Sequence, residues 1–347
     1  VVLKSSYDLW QEEQAIPAYR GFYIEDLYTL ELGDWPWLGG RGAFINLADQ
    51  VTDDAWVVEV PAGQSLSPVQ HLFEIQFFVL SGTGSMEVWQ PGRESQRLAF
   101  EWGRGSLFSP PLNSCYRLHN GSGQNPARLF AVTSAPTMIN LLRDREFMFH
   151  NEHVFADRFA GEDRYFSDPG TSIATRTWKT NFVPDIRAFG LEDHSARGYA
   201  CLNILLSLSN NTMGAHISEF EVGTYKKAHR HDAGAHVVVV SGEGYSLMWP
   251  PGAEPQRFDW RDGSVLSPPE GWFHQHMNLG GVPARYFALR WHSPEFPIRS
   301  YWMPDWGDNG GYEQIEYQDE DPAIRAEFEG ELAKRGIPSR LPTLTRA

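Results

Sequence analysis

The strongest constraint on this chain is a repeat inside it. Residues 79–97, VLSGTGSMEVWQPGRESQR, lie over residues 239–257, VVSGEGYSLMWPPGAEPQR, at an offset of 160. WGRGSLFSPP at 102–111 lies over WRDGSVLSPP at 260–269 at an offset of 158, and PARLFA at 126–131 over PARYFA at 283–288 at 157. Gly, Trp and Pro-Pro thus recur in one order across residues 61–135 and 221–293, with a small drift placed in two loops, as a duplicated unit accumulates. Within each copy, short runs of Val, Ile, Phe, Tyr and Trp are broken by Gly and Pro, of which the chain has 32 and 23, and helical periodicity is rare. That punctuation belongs to all-β structure.

The copies set the boundaries: a first barrel unit over 1–135, a bridge over 136–198, a second barrel unit over 199–300 and a tail over 301–347. The bridge reads as a helix from Met138 to Phe149 followed by loops too rich in Phe, Trp and Tyr for a flexible linker. In the tail, Asp305, Asp308, Glu313, Glu316, Asp319, Glu320 and Asp321 run without a basic residue among them and read as a solvated surface. A helix follows. Asp321 caps it, Pro322 suits its first position, Ile324, Phe328 and Leu332 form its apolar stripe, and Gly336 with Pro338 ends it.

Composition serves mainly to exclude. With 29 Lys and Arg against 44 Asp and Glu the net charge is −15, which opposes binding to nucleic acid or an anionic membrane. No stretch approaches the ~18 consecutive apolar residues of a membrane span. Cys115 and Cys201 have no C-x-x-C spacing, and Val1 to Trp10 lacks the basic and apolar regions of a signal peptide, so a reducing, cytoplasmic setting is expected. The expected partner is a small molecule.

The second copy carries the chemistry. His229, His231, His236, His274 and His276 are five of the chain's twelve histidines. His229 and His231 are two apart, as are His274 and His276, so each pair shares one face of a strand, and converging strands can present several imidazoles to one ion. His236, five residues after His231, falls out of phase unless Gly234 introduces a bulge.

These residues resemble the cupin motifs. The first motif reads Gly223, five residues, His229-x-His231, four residues, His236, five residues, Gly242, with His236 where the family has Glu. The second reads Gly263, five residues, Pro269-x-Gly271, two residues, His274, three residues, Asn278. The resemblance implies a bicupin, two double-stranded β-helix (jelly-roll) barrels with a short helical bridge and a C-terminal helix. The first copy has lost the motif: Val69, His71 and Gln76 stand opposite His229, His231 and His236, and Tyr116 opposite His274, with Glu74 as an extra candidate beside His71. One metal, in the second barrel, is the expectation.

Cupins with histidine ligands and no Glu resemble the bicupin gentisate and hydroxynaphthoate ring-cleaving dioxygenases. That likeness implies Fe(II), with Zn, Mn, Ni or Cu as alternatives, held by His229, His231 and His274, and His236 as a fourth ligand or a base. His276 is a candidate for contact with substrate, Arg290 for pairing with a carboxylate, and Arg285 and His216 rank behind them. Arg230, between two inward histidines, should point outward. Trp249, Trp272, Phe273 and Trp291 are candidates for an apolar wall. The expected reaction is O2-dependent cleavage of a hydroxylated aromatic or enolisable acid, in a homodimer or homotetramer. Two other classes stand beside it: a metal-dependent hydrolase or isomerase with His236 or Glu270 as base, and a non-catalytic small-molecule binder.

Overall fold

The computed structural model describes residues 3–231, 234–291, 293–296 and 312–343. They form four stacked β-sheets, two for each copy of the repeat. In the first half a three-stranded sheet (Thr83–Trp89, Leu98–Gly103, Cys115–Asn120) faces an eight-stranded one built around Gly40–Leu47, Asp54–Val60, Ala127–Thr133 and Ile75–Ser81. In the second half a nine-stranded sheet around Cys201–Leu208, Gly214–Phe220, Ala284–Arg290 and His236–Ser241 faces a five-stranded one containing Glu243–Trp249, Phe273–Asn278 and His229–His231. Each half is a jelly-roll sandwich whose two sheets are not joined into a closed barrel.

The strand alternation explains why the central strands read as unbroken apolar runs. Phe77 and Val79 fill the first half, and Val237 and Val239 the second. Their neighbours Phe78, Leu80, Val238 and Val240 pack in the layer between the halves. Both faces of these strands are buried, so the usual polar alternation disappears. The Phe78 and Phe287 rings meet across this layer at 4.4 Å.

Each half also completes the other's sheet. Tyr23–Ile24, ahead of the first copy, pairs with Val265–Leu266 of the second half, and Phe182–Val183, in the bridge, pairs with Leu107–Phe108 of the first. The recurring Pro-Ala-Arg holds these crossing segments. Arg128 pairs with Glu59 and donates to the carbonyls of Leu27, Tyr28 and Leu30. Arg285 pairs with Glu219 and donates to those of Ile186, Arg187 and Phe189. Arg285 is thereby committed to structure rather than to substrate.

The helix expected over Met138 to Phe149 is two, Ala135–Leu142 and Arg145–Phe149. Arg143 between them has φ 51°, and Asp144 caps the second by accepting from the Phe147 N–H. The last helix, Pro322–Arg335, is capped by Asp321 and ends at Gly336 with φ 68°. Its Phe328 and Leu332 cover the outer face of the five-stranded sheet at Tyr245, Leu247 and Met277. Among the acidic tail residues Asp305 and Asp308 lie outside the described residues. Of the others, Glu313 pairs with Arg230, Glu316 with Lys227, and Glu320 accepts from the Tyr225 hydroxyl, so these three are tied down on the second half rather than merely solvated. Among the described residues no helix is long and apolar enough to cross a membrane.

Candidate metal centre

Backbone pairing puts His229 directly opposite His274 across two antiparallel strands. With His231 they form a cluster whose ligand nitrogens lie within 4.8 Å of one another. Ring centroids are 4.2 Å apart for His229 and His274 and 4.9 Å for His231 and His274. His229 Nδ1 lies 3.1 Å from the Lys227 carbonyl and His274 Nδ1 3.3 Å from that of Trp272. An Nδ1–H donating to each carbonyl leaves Nε2 with its lone pair for an ion. Burial depresses the proton affinity of both rings well below the usual histidine range, reinforced at His229 by Arg197 and at His274 by His276. The donor set therefore fits a divalent metal: three converging imidazoles, two of them with orientation fixed from behind by carbonyls.

His236 is not with them. Its ring is fully buried on the opposite face of the strand His236–Ser241, with Nδ1 3.6 Å from Asp53 Oδ2 of the first half and the ring beside Phe130. Strand parity decides this. Ala235, Val237 and Val239 pack in the second-half interior while His236, Val238 and Val240 turn away, and the pairing of His236 to Val239 with the neighbouring strand is regular. Counted three residues from His231 and six from Gly242, the fourth place of the first motif falls on Ala235. His236 thus lies outside the cluster of His229, His231 and His274.

The remaining candidates separate by the same parity. His276 shares the inward face with His274, and its Nδ1 is 2.7 Å from Ser246 Oγ, which also accepts from the Trp260 indole. Burial, with the charge of Lys226, pushes its pKa down to about 3. Arg290 lies on the strand face of Tyr286 and Ala288, which point into the second half, and its charge adds to burial in depressing His216. Arg230 points outward as expected, over the Phe273 ring and onto Glu313. Of the proposed aromatic wall, Trp272 packs on the interior cluster, Trp249 and Phe273 lie on the outer face beneath the tail, and Trp291 borders the layer between halves. Lys226, Tyr286 and Arg197 also surround the site and were not singled out from the sequence. Lys226 lies among the five residues between Gly223 and His229, a stretch whose parity cannot be read without knowing its turn.

The first half keeps the framework and fills the site. Val69 pairs with Tyr116 as His229 does with His274. His71 Nε2 accepts from the Tyr116 hydroxyl at 2.9 Å and its Nδ1 donates to the Phe73 carbonyl at 2.7 Å. Val69, Ile75, Phe77, Tyr116 and Leu118 line this place with apolar side chains and one phenol, which offer no ligand set to an ion. Glu74 is turned away onto Arg158 and the N–H groups of Thr212 and Met213.

No family model matches the sequence, and no curated protein matches it. Solved structures do. An oxalate decarboxylase from Lactobacillus farciminis, seen as a formate complex, aligns over 92% of this chain and 96% of its own with TM-score 0.54 and 12% identity. A Bacillus subtilis oxalate decarboxylase with Mn(II) centres aligns over 79% of this chain and 78% of its own with TM-score 0.52 and 12% identity. The fold is that of a bicupin. Both aligned proteins extend across the two halves, so the duplicated architecture, and not one sandwich alone, is shared. Neither is a ring-cleaving dioxygenase, and that part of the resemblance is carried by the histidines alone.

Proposed function

We propose that this bicupin is a metal-dependent enzyme acting on a small carboxylic acid in the interior of its second half. The observation that carries the reading is a cluster of three converging imidazoles, His229 and His274 buried and His231 half-buried, with Ala235 at the fourth place. Neutral ligands leave both charges of a divalent ion unbalanced, so the site favours a substrate that chelates as an anion. A metal held by His229, His231 and His274, Fe(II) in this reading with Mn, Zn, Ni or Cu as other metals the set accepts, would supply Lewis acidity and open positions for substrate oxygens and O2.

The chain's own groups do the rest. Arg290 brings a guanidinium to the inward face, suited to a carboxylate. His276, fixed through Nδ1 by Ser246, keeps its second nitrogen for hydrogen bonding or proton exchange with substrate. The reaction we assign is O2-dependent cleavage of a hydroxylated aromatic or enolisable acid. The structural neighbours favour a second reading, since an oxalate decarboxylase acts on a small acid: a metal-dependent lyase without net oxygen use.

Metal analysis of anaerobically purified protein, followed by oxygen uptake with hydroxylated aromatic acids and with oxalate, separates the two. Iron and stoichiometric oxygen uptake with an aromatic acid are expected. Turnover at the same rate with and without oxygen would move the assignment to the second reading.

A further inference from the structure

Among the described residues, the interior of the second half holds a buried cation with no anion paired to it. Lys226 is 3% exposed. Its Nζ donates to the Tyr286 hydroxyl at 2.5 Å and to Ser218 Oγ at 3.3 Å, and no carboxylate among the described residues pairs with it. Ser218 Oγ is already engaged by Asn203 Nδ2 at 2.9 Å. An ammonium carries three protons, so one is left over, and a buried charge without a counter-ion is costly to a fold.

Position connects this cation to the histidine cluster. The Lys226 N–H donates to the His276 carbonyl at 3.0 Å, which fixes Lys226 beside the strand carrying His274 and His276. The Tyr286 ring centroid lies 4.9 Å from that of His276, itself 5.8 Å from that of His274. The run from Lys226 through Tyr286 and His276 to the cluster is thus a continuous buried path. The charges bearing most strongly on His216, His276 and His274 are also positive or come from histidines.

We propose that Lys226, together with the Tyr286 hydroxyl, is an oxyanion-binding subsite that takes a carboxylate of the ligand bound at the histidine cluster. The proposal rests on the reading of the histidine cluster as a site for a small acid. It accounts for a charge that the fold alone does not need: the missing counter-ion arrives with the ligand. A lysine kept for structure would lower stability when removed, whereas one kept for an anion leaves stability equal or higher when replaced by an apolar side chain of similar length.

The test is calorimetric titration of Zn(II)-loaded protein with formate and with salicylate, with salicylamide as the uncharged counterpart. Lys226→Met is expected to weaken both acids by about tenfold or more, to leave salicylamide binding and metal content unchanged, and to melt at or above the unaltered protein. Lys226→Arg should keep part of the affinity, and Tyr286→Phe should lose a smaller part. Unchanged acid affinity in Lys226→Met overturns the proposal, as does failure of the unaltered protein to take up either acid. Should Lys226→Met melt lower, a folded Tyr286→Phe protein with full acid affinity overturns it as well. A protein that consumes no oxygen with any acid yet shows this Lys226 dependence loses the dioxygenase reading and keeps the subsite. One that turns over normally as Lys226→Met loses the subsite and keeps the reading.

Discussion

At His229 and His274 burial removes the proton that would compete with a metal, and carbonyls behind each ring orient the remaining lone pair. Alanine at either His229 or His231 is therefore expected to remove most of the bound metal while the circular dichroism spectrum persists, because the core packs elsewhere. His236→Ala should leave metal content unchanged, and the same elemental analysis decides it. In the other half His71 is buried with its pKa pushed down to about 3 from an ordinary value of 6.5. A ring that binds its proton more weakly when folded adds stability above pH 6.5, and that stability is lost as pH falls from 6.5 towards 3. The loss is on the order of 5 kcal/mol at the lower limit. Urea unfolding at neutral and acid pH should show the difference, and it should shrink in a folded His71→Asn protein.

Among the elements, the recurring Gly-x-Gly of the two hairpins has a packing cause. Gly82 and Gly242 turn the chain at φ 88° and 85°, which favours glycine. Gly84 and Gly244 lie under the paired Trp102 and Trp260, where a Cβ would approach the His119 and Met277 carbonyl oxygens to 2.0 and 1.9 Å. Gly244→Ala is expected to cost about 1–3 kcal/mol, measured by urea denaturation. The final helix is the cover of the five-stranded sheet. Phe328→Ala is expected to cost about 3–5 kcal/mol, and because it loosens the sheet that carries His229 and His274, metal affinity measured by chelator competition should fall with it.

For the whole molecule, the reciprocal strands make the halves interdependent. The second-half sheet includes residues 23–24, and the first-half sheet includes residues 182–183. The apolar layer joining them, with Phe78 on Phe287, would be exposed in either half alone. Calorimetry should show one cooperative transition, and a fragment of residues 199–347 should fail to give a cooperative melt. Two separate transitions would show that each sandwich stands by itself.

The repeat, its strand punctuation and its glycines are local features, so the duplicated all-β fold, the helix after Asp321 and the His-x-His pairs were legible in the sequence. Spacing also gave Tyr116 opposite His274 and hence a first half without a histidine cluster, since two equivalent places differ there only in side chain. Spacing could not give the phase of His236. Residues on one strand alternate between two faces, and the sequence does not say where the strand begins; tertiary structure turned Ala235 inward and His236 towards Asp53. The same holds for the crossing strands at 23–24 and 182–183, too short to carry a pattern, and for Lys226, whose burial depends on a turn and on a sheet closing above it. Local composition sets which elements form; which side chains meet across them is settled only when distant strands pair.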